Sequence, residues 1–398
     1  MRRVDIAVVG GGIVGLSVVR ALLSADQRLQ ITVLEKESSL AVHQSGRNSG
    51  VLHTGIYYRP GSWRSRVAAA GRRAMVTFCE DNGVAFEICG KVIVAGEDSE
   101  RPRLVGLAER ARENGVRALF VGPEQLRELE PHASGVAALH VPEAGIVDFR
   151  AVCRALAELV ERAGVEIRMS CEVKKLFETA LGVVAESTRG PIEARVVVNC
   201  AGLQSDRLMT RPRRRGGGIR IVPFRGEYYE LAGKPDLVRN LIYPVPDQRM
   251  PFLGVHLTRS IDGSVLAGPN AVLALAREGY SWSDVDPREL WELVAFPHFR
   301  RLAARHWRTG LHEVVRSLSK RAFLGSVQRL VPEVRGSDLV RAHSGVRAQA
   351  VRADGTLVDD FVIAMTGRNV TVLSAPSPAA TASLVIGEQI ASRATGLL

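Results

Sequence analysis

The stretch Val4-Asp5-Ile6-Ala7-Val8-Val9-Gly10-Gly11-Gly12-Ile13-Val14-Gly15 decides the fold class. Residues 4–9 are an apolar run with a single acid, the pattern of a central parallel strand covered on both faces. Gly10, Gly12 and Gly15 follow with GxGxxG spacing, and IVGLSVVRALL carries apolar side chains at helical intervals. ITVLEK at 31–36 reads as a second strand. Strand, glycine turn, helix and strand, in that order, open a doubly wound α/β domain. The glycines permit a tight turn and let a pyrophosphate approach the positive end of the helix. Glu35 closes the second strand, where its carboxylate accepts hydrogen bonds from ribose hydroxyls and repels a 2′-phosphate. The competing reading is a glycine-rich turn that serves packing alone.

The rest of the composition is consistent with a folded chain. It has 398 residues, 46% hydrophobic and 24% charged, which argues against disorder, collagen and coiled-coil rods. No apolar run approaches the roughly 20 residues of a membrane-spanning helix. Met1-Arg2-Arg3 and the run after it imitate an export signal, but Asp5 and the glycines make a poor signal core. We therefore expect a buried strand there and no targeting segment. Cys79, Cys89, Cys153, Cys171 and Cys200 form no CxxC pair and fit reduced thiols in a cytoplasm. The net charge is +11, yet only six of the 53 basic residues are lysine. That arginine skew suggests a compositional bias, so part of the excess need not bind anything.

Periodicity divides the chain further. Helices are expected near 62–82, 99–114 and 148–163, the last with Asp148 as N-cap. ARVVVNCAG at 194–202 reads as a buried strand that returns to the first sheet. Residues 211–218 (RPRRRGGG) form a basic loop and a domain border. Strands dominate 219–269, helices 284–332 with a break at Pro297, and strands again 345–351 and 360–365. We expect an α/β protein, α+β overall: residues 1–83, 146–218 and 340–398 make a doubly wound Rossmann-like nucleotide-binding domain. Residues 84–145 and 219–339 make an interleaved, mainly antiparallel-sheet substrate or lid domain.

His43-Gln-Ser45-Gly46-Arg47-Asn48-Ser49-Gly50-Val51-Leu-His53-Thr-Gly-Ile-Tyr57-Tyr58 selects among dinucleotides. Glycines and small polar residues let a loop lie flat against a large planar ring. A flavin extends beyond the first βαβ unit and needs such a loop; a nicotinamide does not.

GGGIVG, LEKE, HQSGRNSGVLHTGIYY, PFRGEYY, MPFLGVHLTR, GPNAVLA, SGVRAQAV and APSPAAT together resemble the bacterial L-2-hydroxyglutarate dehydrogenase (oxidase) family. That family belongs to the D-amino-acid-oxidase-like FAD superfamily, and the resemblance runs in register from about residue 4 to 393. RPRRRGGG and the end at Leu398 depart from its pattern. The resemblance implies noncovalent FAD and oxidation of L-2-hydroxyglutarate to 2-oxoglutarate. Hydride would leave Cα for flavin N5, and electrons would pass to a membrane quinone or, less efficiently, to oxygen. It implies a cofactor site built from Gly10, Gly12, Ile13, Val14, Gly15, Glu35 and Lys36, then Ser45, Gly46, Arg47, Asn48, Ser49, Gly50 and Val51. Val173, Ala201 and Gly202 would meet the adenine side. Gly345, Val346 and Arg347 would lie near the flavin. Pro378, Ala379, Ala380 and Thr381, opening the last helix, would hold its pyrimidine edge, where the helix dipole favours negative charge.

His53 is the candidate base, since a neutral imidazole takes a proton near pH 7. Its alternative is a histidine that only packs beside the ring. A dicarboxylate needs cations and hydroxyl donors, and the candidates are Arg225, His256 and Arg259, with Tyr58. On an alternating strand, residues three apart point to opposite faces. His256 and Arg259 are therefore alternatives, as are Arg225 and Tyr228; Tyr57 and Tyr58 are a similar pair. His298, His306 and His312 have no metal-ligand spacing, and no metal is expected. Arg211, Arg213, Arg214 and Arg215 form one basic cluster. FPHFRRLAARHWR at 296–308 mixes apolar and basic residues in a way that suits anionic lipid. A solvated or interdomain helix is the alternative. The chain is expected to be cytoplasmic, with the lipid-binding reading placing it peripherally on the cytoplasmic face of the inner membrane, and nucleic acid is not an expected partner. The same fold could instead oxidise another 2-hydroxy acid, glycerol 3-phosphate or an amino acid, or bind FAD without turnover.

Overall fold

The computed structural model describes residues 2–209, 218–247 and 253–398. The first half forms β1 (Arg2–Val9), α1 (Ile13–Ala25), β2 (Ile31–Leu34), β3 (Val51–Leu52), α2 (Trp63–Asp81), β4 (Phe86–Glu87), β5 (Lys91–Ala95), α3 (Arg101–Glu113), β6 (Leu119–Val121), α4 (Pro123–Leu129), β7 (Ala137–Val141), β8 (Gly145–Val147), α5 (Phe149–Arg162), β9 (Glu166–Arg168), β10 (Val173–Glu178), β11 (Val183–Ser187) and β12 (Ile192–Asn199). The second half forms β13 (Arg220–Leu231), β14 (Leu241–Pro244), β15 (His256–Arg259), β16 (Val265–Gly268), β17 (Val272–Leu273), α6 (Pro287–Ala295), α7 (Pro297–Leu318), α8 (Lys320–Gln328), β18 (Leu339–Val351), β19 (Val362–Thr366), β20 (Asn369–Ser374) and α9 (Ser383–Thr395).

The apolar run of β1 has two faces to fill. Ile6 and Val8 pack with Val33, Val196 and Val198 against α1, α5 and α9. Ala7 and Val9 pack on the other side with Val173, Leu176, Val183 and Ala185 of the β10–β11 hairpin. Burial on both faces is what removes the polar alternation from the sequence. Strands β20, β12, β1, β2 and β9 lie parallel in that order, with β19 antiparallel on β20. Asp148 caps α5 as expected: its Oδ1 accepts from the Arg150 amide at 2.8 Å.

A second sheet runs β17-β13-β16-β15-β14-β5-β7-β6, with β18 along β13. Its neighbours are antiparallel except β14 and β5. One face packs on Phe323 and Val327 of α8, the other on Leu104 and Leu107 of α3. A small sheet of β3, β8 and β4 holds the segment just before His53.

Several boundaries differ from the expectation. Residues 340–398 were expected in the nucleotide-binding domain; within them β18 pairs with β13 from Leu339 to Val351 and so extends the second sheet. The helical break falls at Phe296, and Pro297 occupies the first turn of α7, where its missing N–H costs nothing. A second break, at His306, has non-helical torsions. Pro378, Ala379, Ala380 and Thr381 do not open a helix: they form consecutive turns before α9, which begins at Ser383. The basic cluster Arg211, Arg213, Arg214 and Arg215 lies outside the described residues.

Candidate functional site

Between the two larger sheets lies a cavity of about 880 Å³. Its long wall includes Gly10, Gly12, Ile13, Val14, Glu35, Lys36, Ser45, Arg47, Asn48, Ser49, Val51, Val173, Ala201, Gly202, Gly345, Val346, Arg347, Pro378, Ala379, Ala380 and Thr381. Gly15, Gly46 and Gly50 were grouped with these by sequence and do not line it. Gly15 and Gly46 instead let backbones meet, since a Cβ would stand 2.0 Å from the Gly10 and Ala41 carbonyl oxygens respectively. Gly50 takes a left-handed turn at φ +67°.

One end is built by β1, α1 and β2. Gly10 has φ +101°, and a Cβ there would meet the Cys200 carbonyl oxygen at 2.5 Å. The turn therefore brings the α1 terminus hard against the end of β12. Glu35 accepts from the Gly11 amide at 2.7 Å and from the Glu37 amide at 2.9 Å. Ser45 Oγ accepts from the Ile13 amide at 2.9 Å, docking the loop on the helix terminus. Lys36 bridges Glu37 and Glu278 at 2.7 and 2.6 Å. Together with His43, those two acids make the one carboxylate–histidine cluster of metal-binding dimensions among the described residues. Lys36 already pairs with both acids, and His43 hydrogen-bonds Glu37 and Tyr280.

The loop 43–50 is held by its own polar side chains. Asn48 Nδ2 donates to the Gln44 and Ser45 carbonyls at 2.9 Å, and Asn48 Oδ1 accepts from the Gly50 amide. Arg47 donates to the Val42 carbonyl and lies 4.2 Å over the Tyr280 ring. Gly345 lets β18 cross this loop; a Cβ would stand 2.1 Å from the Arg47 carbonyl oxygen. A narrow, glycine-lined cleft that ends on amide-rich turns and an acid at the second strand fits a dinucleotide with a flat ring system.

The other end collects His53, Tyr57, Tyr58, Tyr228, Tyr243, His256 and Arg347 on the cavity wall. The His53 amide donates to Thr381 Oγ1 at 3.2 Å, and Thr381 donates to the Val51 carbonyl. Burial, with Lys91 and His256 nearby, holds the His53 imidazole well below its usual pKa. Burial likewise lowers His256 to about 3. Its Nδ1 faces the Gly254 carbonyl at 2.9 Å, so in the neutral ring Nδ1 carries the proton and Nε2 keeps the lone pair. The Tyr58 hydroxyl pairs with Ser377 at 3.2 Å. Tyr57 and Tyr58 both reach the wall, because residues 55–58 form a turn and strand alternation does not apply.

Two expected cations are elsewhere. Arg225 is fully buried away from the cavity: it bonds Glu227, donates to the Ser281 carbonyl at 2.7 Å and lies over Trp282. Its strand neighbours Gly226 and Tyr228 are the ones that face the cavity. Arg259 pairs with Glu87 at 3.0 Å and donates to the Arg239 carbonyl, on the face of β15 opposite His256. Alternation made these pairs exclusive but gave no absolute side.

Sequence reasoning missed Tyr243 and Lys91. Lys91 opens β5, is 1% exposed, and places Nζ 4.0 Å from the Tyr243 ring centre and 5.4 Å from that of Tyr57. The available signal was a rare lysine at the head of the apolar run KVIVA.

The profile described as FAD dependent oxidoreductase matches residues 5–393. The L-2-hydroxyglutarate dehydrogenase of Escherichia coli K12 is 44% identical over 99% of this chain and 94% of its own. That of Indibacter alkaliphilus is 42% identical over 96% of each, and the human mitochondrial protein of the same name is 41% identical over 97% and 88%. Among solved structures, L-α-glycerophosphate oxidase from Mycoplasma pneumoniae superposes with a TM-score of 0.81 at 21% identity, covering 100% of this chain and 95% of that one. Glycine oxidase from Geobacillus kaustophilus gives 0.73 at 19%, covering 99% and 95%. These two show the shared fold. With its glycine turn, flat-ring loop and full-length likeness to these proteins, the chain belongs to the FAD dependent oxidoreductase family, in the group named for L-2-hydroxyglutarate dehydrogenase.

Proposed function

We propose that this protein oxidises L-2-hydroxyglutarate to 2-oxoglutarate, the reaction for which its 42–44% identical bacterial relatives are named. The observation that carries the reading is the meeting of two neutral histidines, four tyrosines and Arg347 at one end of the cofactor-shaped cavity. FAD, when bound, supplies the two-electron acceptor. The residues of the long wall would hold it, the α1 terminus suiting the pyrophosphate and Glu35 the ribose hydroxyls. The chain's own side chains handle the proton and the charge. His53 accepts the hydroxyl proton, which its neutral imidazole can take at physiological pH. Arg347 grips the carboxylate next to the reacting carbon. The Tyr57 hydroxyl is buried with no partner among the described residues, the Tyr243 hydroxyl has only that of Thr258 beside it, and a ligand oxygen would satisfy both.

Anaerobic bleaching of the bound flavin tests this directly. L-2-hydroxyglutarate should bleach it, and its D enantiomer, L-lactate, glycine and glycerol 3-phosphate should do so poorly. Faster bleaching by one of those would give the chain a different substrate, and no bleaching by any would make it a binding protein.

We also infer that reduced enzyme delivers electrons to a quinone while resting on the cytoplasmic face of a membrane. The support is the outer face of α7, where Trp307, Leu311, Val315 and Leu318 are each half or more exposed. No described helix is long and apolar enough to cross a membrane, so contact would be shallow. Reoxidation by a quinone analogue in vesicles, faster than by oxygen, would support this reading.

A further inference from the structure

We propose that Lys91 is the positioning residue that selects a substrate bearing a second carboxylate, acting from behind the cavity wall through the hydroxyls of Tyr57 and Tyr243. The inference rests on the reaction proposed above and adds which residue makes it selective for a diacid.

Four observations lead to it. Lys91 is among the most buried side chains, yet no carboxylate among the described residues lies within ion-pair distance of its ammonium. Its nearest partners are the faces of Tyr243 and Tyr57, and those rings stack with centres 6.3 Å apart. Both tyrosines line the cavity; the Tyr57 phenol oxygen is buried with no hydrogen-bond partner among the described residues, and that of Tyr243 has only the Thr258 hydroxyl beside it. The ammonium also contributes to keeping His53 and His256 neutral, so its field reaches the reacting end of the cavity.

A buried cation without a counter-ion is costly. Burial pushes Lys91 down to about 7, which records that cost. A methionine would fill the same space without it. A lysine held at this expense behind two buried hydroxyls describes a site completed by an anion, whose charge would hold the proton on the ammonium. The Arg347 guanidinium serves the carboxylate beside the reacting carbon, whereas Lys91 and the two hydroxyls would serve one further along the chain. A monocarboxylate would leave the Tyr57 phenol unpaired and the ammonium uncompensated.

The test uses the FAD-loaded enzyme, with glutarate and pentanoate as probes of equal length and different charge. Binding is read from the flavin absorbance. Wild type should prefer glutarate. Lys91→Met should weaken glutarate by about 30-fold or more, the cost of removing a buried charge partner, and leave pentanoate within about threefold. Turnover of L-2-hydroxyglutarate should suffer mainly in KM. The melting temperature should hold or rise at neutral pH, which a merely structural lysine would not allow. Equal losses for both probes, or an unchanged glutarate preference, would overturn the proposal. If Lys91→Met fails to retain flavin, Lys91→Arg must keep the preference and Lys91→Gln must lose it. Failure of L-2-hydroxyglutarate to bleach wild type would sink the proposed reaction instead, so the two failures are distinguishable.

Discussion

The Tyr243 ring lies flat on the His256 imidazole, with centres 3.9 Å apart and planes inclined by 20°. The stack shuts water away from a group that would otherwise titrate near pH 6.5 and lowers it to about 3. The unfolded chain binds a proton on this histidine below about 6.5, and the folded chain refuses it until about 3. Stability from this group is therefore complete above 6.5 and declines as pH falls through that window, by up to about 1.4 kcal/mol per pH unit. His53 is displaced in the same direction. Urea unfolding between pH 5 and 7 should show the decline, and His256→Asn should flatten it. An unchanged slope would mean that other groups cause it.

His53 is tied through its backbone to Thr381, so the imidazole can be removed without moving the turn that carries it. His53→Asn should stay yellow, since the cofactor wall is untouched. Its rate of flavin reduction by L-2-hydroxyglutarate should fall by about 10²- to 10⁴-fold, the usual contribution of a positioned base. Stopped-flow bleaching measures it, and a near-normal rate would move the role to another group, with His256 first.

Three arginines separate binding from folding. Arg347→Met should raise KM strongly, because Arg347 faces the cavity. Arg259→Met should leave substrate saturation unchanged, because its guanidinium serves Glu87 and the Arg239 carbonyl. Arg225→Met should lower stability by on the order of 3 kcal/mol with little effect on KM. It leaves Glu227 and the Ser281 carbonyl without their buried partner. Steady-state kinetics and thermal melts on the three variants decide the assignment, and a KM effect at Arg259 would contradict it.

The opening βαβ unit was legible because two-sided burial and the glycine turn are local requirements. So was the α5 cap, which needs only Asp148 and the next turn. Alternation showed that His256 and Arg259 cannot share a face, but not which one the cavity takes, since that depends on how β15 pairs with β14 and β16. Strand β20 escaped notice although it closes a hairpin with β19; its place in the first sheet comes from β12, far back in the chain. Lys91 was passed over for a related reason. KVIVA reads as a strand whatever its first residue does, and the lysine acquires meaning from Tyr57 and Tyr243, which come from distant segments. The expectation that residues 376–381 start a helix failed because their prolines fit a run of turns as well as a helix start.

The outer face of α7 gives the last prediction. After the break at His306, Trp307, Leu311, Val315 and Leu318 recur at helical spacing and are 59%, 56%, 50% and 62% exposed. Arg300, Arg301, Arg305 and Arg308 are exposed on the same helix. Its single acid, Glu313, is buried and paired with Arg316 at 2.7 Å. An apolar strip on a helix that also exposes four arginines suits anionic lipid, each arginine contributing about 1 kcal/mol near such a surface. The double variant Trp307→Ser, Leu311→Ser should therefore lose co-sedimentation with vesicles rich in anionic lipid. Dye-coupled turnover in solution should stay within about twofold, because neither side chain lines the cavity. High salt should weaken wild-type binding by screening the arginines. Vesicle binding that survives the double substitution would place the contact elsewhere, and equal binding to neutral vesicles would remove the role assigned to the arginines.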